Sequence, residues 1–191
     1  MVFLFSFEPL VDFLMAALAY LLYKYLGKRP WSFWGAVLAL YLSLVFSVTG
    51  LPSIQHFALD FTVNLIPFSD FRDSRFLYLS ALNMVMTVPL GVLLPLAFRK
   101  YQRFTPTLLA GFFTSLTIEI LQLFCFRATD IDDLILNTLG TALGYFLGKL
   151  LFSRLWPRCG DRKDGYWLLT GLLILLCFFL RQLFYDLPYL F

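Results

Sequence analysis

A carboxylate in an apolar helix is the first feature of this chain that could do chemistry. Glu119 lies in the run Thr114-Ser115-Leu116-Thr117-Ile118-Glu119-Ile120-Leu121-Gln122, with long apolar sequence on either side. Ionisable residues in such a setting are costly and carry a functional hypothesis by default. Ser115, Glu119 and Gln122 stand at i, i+4 and i+7, so a helix presents all three on one face. The following run, Asp130-Ile131-Asp132-Asp133-Leu134-Ile135-Leu136-Asn137, places Asp130, Asp133 and Asn137 on one face and Asp132 off it. Asn83 adds a third polar group from a third apolar stretch. Two chemistries fit these residue types. Glu119 with Asp130 or Asp133 can serve as general acid and base. Alternatively, carboxylates and amides can hold the polar end of an amphiphile, with Arg127 on a pyrophosphate or carboxylate and Asn83, Gln122 and Asn137 orienting it.

These groups need helices to position them. A membrane span takes about 20 mostly apolar residues, and the sequence offers six such stretches, 4–25, 31–51, 76–98, 104–126, 131–152 and 166–184. A rise of ~1.5 Å per residue puts Glu119 roughly 12 Å below Arg127, Asn137 roughly 10 Å below Asp130 and Asn83 roughly 10 Å below Phe76. The short link between the fourth and fifth stretches makes them antiparallel neighbours. Asn83, Glu119 and Asn137 are thereby expected at one depth. Pro89, Gly91 and Pro95 are expected to interrupt and kink the third helix. Gly140, Gly144 and Gly148 recur every fourth residue, a stripe suited to close helix contact.

Composition agrees with a membrane chain. Of 191 residues, 60% are hydrophobic and only 14% charged, with a mean hydropathy of +0.79. A soluble domain carries about 25% charged residues. The 15 basic residues divide into 11 on one side (Lys24, Lys28, Arg29, Arg99, Lys100, Arg103, Lys149, Arg154, Arg158, Arg162, Lys163) and 4 on the other (Arg72, Arg75, Arg127, Arg181). They alternate loop by loop. Positive loops stay cytoplasmic, so both termini, the segment 52–75 and the link 127–130 are expected outside. Most acids lie on that outer side. Because the basic residues serve orientation, no nucleic-acid partner is expected. Cys125, Cys159, Cys177 and the single His56 form no metal-ligand spacing; neither metal nor cofactor is expected, a divalent ion on Glu119, Asp130 and Asp133 being the lesser alternative.

Each group also has a plain reading. Asn83, Gln122 and Asn137 can be interhelical hydrogen-bond partners, Glu119 a protonated structural carboxyl, and Asp130, Asp132 and Asp133 an acidic helix start favoured by the macrodipole. Convergence of the set is what favours a site.

The run Asn64-Leu65-Ile66-Pro67-Phe68, then Asn83 with Pro89, Gly91 and Pro95, then Ser115, Ile118, Glu119 and Gln122, followed by Arg127, Asp130, Asp133, Asn137, Gly140 and Gly144, resembles the VanZ-like membrane family across about residues 53–148. That family takes its name from a protein accompanying glycopeptide-resistance clusters, associated with reduced susceptibility to teicoplanin, a lipid-tailed glycopeptide. The resemblance implies Asn64, Asn83, Glu119, Gln122, Arg127, Asp130, Asp133 and Asn137 as site residues and assigns none of them a catalytic role.

The sequence thus predicts one all-α domain, residues 1–191, a bundle of about six transmembrane helices in a bacterial cell membrane. By that resemblance it is expected to contribute to teicoplanin-type resistance, by binding or shielding an envelope lipid, a lipid-linked cell-wall precursor or the antibiotic's acyl tail at an outer-leaflet pocket. The alternative is a membrane enzyme modifying a lipid-linked envelope molecule, with Glu119 and Asp130 or Asp133 as acid and base. A transporter fits less well, because no polar path completes the inner half.

Overall fold

The computed structural model describes residues 17, 33–49, 63–69, 73–124 and 129–156. Within them the chain forms α1 (Phe33–Val48), a two-residue strand β1 (Val63–Asn64), α2 (Ser74–Ala97), a 3-10 turn (Arg99–Gln102), α3 (Phe104–Gln122), a second short strand β2 (Thr129–Asp130) and α4 (Ile131–Phe152). Among the described residues, α2, α3 and α4 are each long and apolar enough to cross a membrane. Apart from residue 17, the first predicted span, 4–25, lies outside the described residues, as do the sixth, 166–184, and most of the outer segment 52–75. The second appears as α1, within the predicted 31–51, whose residues 31–32 and 50–51 lie outside the described residues.

Local sequence explains where the helices begin. Asp73 caps α2 by accepting the Arg75 N–H at 2.9 Å, and Asp130 caps α4 by accepting the Asp132 N–H at 3.0 Å; side-chain oxygens at this position satisfy otherwise orphaned first-turn donors. Asp132 and Asp133 in the first turn of α4 and Lys149 in its last complement the helix dipole. The expected interruption of α2 does not occur. The helix runs unbroken through Pro89 and Pro95, and the Tyr41 hydroxyl of α1 donates to the Met86 carbonyl at 2.5 Å, close to the backbone that Pro89 leaves short of a donor.

The closest pairing is α2 against α4. Glycines make it possible. A Cβ on Gly140 would strike the Met84 carbonyl and the Thr87 hydroxyl, one on Gly144 the Val88 carbonyl, and one on Gly91 the Thr141 carbonyl. The stripe read from the sequence is therefore the contact surface, with Gly91 as its counterpart on α2. Helix α3 packs on the same helix through Gly111, whose Cα faces Thr141. An apolar cluster of Leu38, Leu90, Leu93, Leu94, Ala97 and Phe98 ties α1 to α2. At the far end Gln102 donates to the Trp156 carbonyl at 2.6 Å and accepts from the Tyr145 hydroxyl at 2.9 Å, fixing the turn after α2 to the end of α4.

The pattern of burial is that of a bilayer protein. Leu79, Leu82, Val85, Leu109, Phe113, Leu143 and Phe146 are exposed, whereas Thr107, Ser115, Glu119, Gln122, Asp132, Asn137 and Thr141 are buried. Without an internal hydrophobic drive, helices in lipid associate through close packing and hydrogen bonds, and both are concentrated along α4.

Candidate ligand-binding site

Helix α3 ends at Gln122, four residues before the predicted 126. Glu119 is consequently within one turn of the helix end rather than deep below it. Its backbone carbonyl accepts from the Thr129 hydroxyl at 3.1 Å, and its Oε2 accepts from the Asp130 N–H at 3.2 Å. The residue is only 3% exposed. Glu119 thus holds the start of α4 against the end of α3.

Strands β1 and β2 pair in parallel, with Asn64 opposite Asp130. Asn64 nucleates the turn that follows it. Its Oδ1 accepts the Ile66 N–H at 3.1 Å, while its Nδ2 reaches the Ser69 hydroxyl at 3.0 Å and Asp130 Oδ2 at 3.3 Å. This asparagine turn lets the chain reverse at Pro67. Phe68 takes a left-handed backbone conformation, φ 58°, and donates its N–H to both carboxylate oxygens of Asp132, at 2.9 and 3.0 Å.

Asp132 is the residue that the sequence reading set aside. Helical spacing places it off the Asp130–Asp133–Asn137 face, yet it is 0% exposed because the 63–69 turn covers that side of the helix. Three acids in four positions beside an Asn-Leu-Ile-Pro-Phe turn offered the signal, since a buried turn amide needs an acceptor.

One turn further in, Asn83 donates its amide N–H to Asp133. Deeper again, Asn137 donates to the Ser115 hydroxyl at 3.0 Å, and Ser115 lies 3.5 Å from the Asp133 carbonyl as donor. Asn137 is 2% exposed and its Oδ1 has no hydrogen-bond partner. The Gln122 side chain donates to the Thr49 carbonyl of α1 at 3.3 Å. The expected single level therefore resolves into a ladder along α4: Glu119 at Asp130, Asn83 at Asp133 and Ser115 at Asn137. These rungs are spread over roughly 10 Å at ~1.5 Å per residue. Early termination of α3 is the reason Glu119 takes the outermost rung. Arg127 lies outside the described residues. Among the described residues, no group of three or more His, Cys, Asp or Glu side chains is placed to hold a metal ion.

Beside the ladder, between α1 and α2, a cavity of about 690 Å³ opens. One wall is apolar, made by Val48, Phe76, Leu79, Leu82, Val85 and Met86; the other carries Thr49, Ser80, Asn83, Gln122, Asp130 and Asp133. Such a volume is in the range of small-molecule sites. Val48, Leu79, Leu82 and Val85 are exposed, so the mouth opens among exposed apolar side chains. Of the sequence-predicted residues, the structure gathers Asn83, Gln122, Asp130 and Asp133 on the cavity wall. Glu119, Asn64 and Asn137 stand behind them as supports.

Comparison with known proteins places these features in a family. The family model for VanZ/LLP1 matches residues 38–153, from within α1 to the end of α4. The curated Protein VanZ of Enterococcus faecium is 35% identical over 95 residues, which is 49% of this chain and 56% of that protein's length. This chain therefore aligns with little more than half of that relative. No solved structure matches the chain.

Proposed function

The chain belongs to the VanZ/LLP1 family, and from that premise we propose that it lowers susceptibility to lipid-tailed glycopeptides by binding an amphiphile in the cavity between α1 and α2. The amphiphile is an envelope lipid, a lipid-linked cell-wall precursor or the antibiotic's acyl tail. The observation carrying this reading is the division of the cavity into an apolar and a polar wall, with its mouth at exposed apolar side chains. An amphiphile arriving in the plane of the membrane meets both surfaces in the order it presents them.

The acids lend themselves less to acid–base catalysis than to this role. Glu119 and Asp130 each accept backbone N–H groups that position α4, and Asp133 accepts from Asn83. A binding role and a catalytic one part company at Glu119. Gln keeps an acceptor for the Asp130 N–H but cannot exchange a proton. Expressed in a susceptible host, the wild-type chain is expected to raise the inhibitory concentration of teicoplanin but not that of a glycopeptide without a lipid tail. Glu119→Gln should retain at least about half of that protection, and Ser80→Leu, which fills the cavity, should remove it at unchanged membrane abundance. Loss of protection in Glu119→Gln, with the protein still folded, would transfer the reading to a membrane enzyme acting on a lipid-linked envelope molecule. Equal protection by Ser80→Leu would dismiss the cavity.

The cavity is assigned to the outer leaflet of the cell membrane from the distribution of basic residues, with Arg99, Lys100, Arg103, Lys149 and Arg154 at the end of the bundle away from it. In intact cells, single cysteines at Ser69 and Thr129 are expected to react with an impermeant thiol reagent and one at Ser153 is not. The opposite labelling would put the cavity at the cytoplasmic face.

A further inference from the structure

At the end of the bundle away from the cavity, the start of α3 packs on the last turns of α4. The Phe104 ring lies 5.4 Å from that of Tyr145 and 5.2 Å from that of Phe146. Arg103 directly precedes Phe104, and Lys149 stands one turn beyond Tyr145 and Phe146, between their two faces of α4. Both cations are exposed, and neither side chain makes an ion pair or hydrogen bond with any described residue. The sequence that follows does not cancel them. The stretch 157–165 carries Arg158, Arg162 and Lys163 against Asp161 and Asp164, and so adds positive charge. From Lys149 an apolar line leads back along α4. Leu150, Phe146, Leu143 and Leu139 stand at i, i−4, i−7 and i−11, one stripe of the helix, and are between 44% and 79% exposed. At ~1.5 Å per residue the stripe is roughly 16 Å long, close to half of a hydrocarbon core of about 30 Å. Two free cations therefore stand at the head of an apolar track one leaflet deep.

We propose that this α3–α4 seam holds one anionic diacyl phospholipid, its phosphodiester at Arg103 and Lys149 and one acyl chain along the Leu139–Leu150 stripe. Arg103 brings a planar fork of N–H donors and Lys149 a compact charge, and both suit phosphate oxygens. A zwitterionic lipid has the same phosphate but carries its own cation, so it gains less from the pair. A phosphate without a tail lacks the stripe. Basic residues at a membrane surface attract anionic headgroups; a pair set over a track of one leaflet's depth makes that attraction a site. The seam and the cavity lie at opposite ends of the bundle, so the proposal is independent of what the cavity holds, and it needs no choice of leaflet.

The test uses the full chain purified in maltoside micelles. Dioleoyl phosphatidylglycerol and dioleoyl phosphatidylcholine are added together in equal amounts, and bound lipid is counted by native mass spectrometry. The glycerol lipid is expected to be retained about 10-fold over the choline lipid, and glycerol phosphate, the same head without a tail, is not retained. Arg103→Gln combined with Lys149→Gln should bring the two lipids to within about 3-fold of each other. Arg75→Gln combined with Lys100→Gln removes the same formal charge away from the seam and should leave the preference intact. All four positions are exposed, so unliganded melting temperatures should stay as in the wild type. Should the 103 and 149 double variant not fold, Lys149→Gln alone is expected to lower the preference about 3-fold. Equal retention of the two lipids by the wild-type chain would overturn the proposal. So would an unchanged preference in the 103 and 149 double variant. An equal loss in the 75 and 100 double variant would replace the site with attraction spread over the whole surface. Retention of glycerol phosphate would replace the lipid with a soluble anion.

Discussion

Gly144→Ala is expected to push α2 away from α4 and to remove most folded protein, whereas Gly148→Ala, one turn along the same stripe, should be tolerated. At position 144 the added Cβ runs into the Val88 carbonyl and the backbone of Gly91, atoms that cannot swing aside. At position 148 the nearest atoms are Val92 Cα at 3.3 Å and its side chain at 3.7 and 3.8 Å, a tight fit that a small shift relieves. Overpacking ordinarily costs about 1–3 kcal/mol and occasionally more. Here the obstacle is backbone on both sides, and the α2–α4 seam carries the Asn83–Asp133 rung of the polar ladder, so a loss of at least about 3 kcal/mol is expected for Gly144→Ala. For Gly148→Ala the expected loss is below about 1 kcal/mol. Thermal denaturation of the detergent-purified variants, with size-exclusion profiles to report misfolded material, measures both. Equal stability of the two would mean that the seam is looser than the contacts at Gly91 and Gly144 indicate.

Asp132→Leu should release the 63–69 turn from α4. Both carboxylate oxygens of Asp132 accept one N–H, that of Phe68, whose left-handed backbone costs an L residue about 1–2 kcal/mol and which is kept there by this bond. Hydrogen bonds to charged groups contribute about 1.5–3 kcal/mol. Removing this one is expected to lower stability by about 2–3 kcal/mol and to abolish protection of the Ile66 and Phe68 amides in hydrogen–deuterium exchange. Asp132→Asn retains an acceptor and should lose about 1 kcal/mol or less, with protection largely kept. The contrast separates a hydrogen-bonding role from a requirement for charge. Unchanged exchange in Asp132→Leu would show that the Asn64 bonds hold the turn unaided.

Helix positions were readable because a long apolar stretch has few alternatives. The predicted 131–152 coincides with Ile131–Phe152, and 76–98 and 104–126 differ from α2 and α3 only at their ends. Face-sharing of Ser115, Glu119 and Gln122 was readable for the same reason, since period alone decides it, and all three are buried. Partners were not readable. That Glu119 meets the Asp130 amide depends on where α3 stops, and helix ends are set by hydrogen bonds that period does not encode. The burial of Asp132 depends on a turn from far along the chain folding over the wrong side of its helix. Continuity of α2 through two prolines was likewise not readable; Tyr41 of another helix bonds the Met86 carbonyl, next to the Val85 carbonyl that Pro89 leaves without its helical donor. The cavity arises from the gap between α1 and α2, which no single segment describes.

The parallel contact between β1 and β2 sets an order of biogenesis. Asn64 and Asp130 stand 66 residues apart, and α2 and α3, both long and apolar enough to cross a membrane, are made between them before they can meet. As the nascent chain emerges, α2 enters with Asn83 but without Asp133, and α3 enters with Glu119 and Ser115 but without Asp130 and Asn137. Their polar faces stay open until α4, the last helix of the ladder, arrives and closes every rung at once. A chain truncated after α3 would therefore hold two helices whose amide, hydroxyl and carboxyl groups have lost those partners in hydrocarbon, the kind of intermediate that insertion chaperones retain and membrane proteases recognise. On this view α4 is the step that commits the newly made protein to the bilayer, and quality control has a single event to wait for.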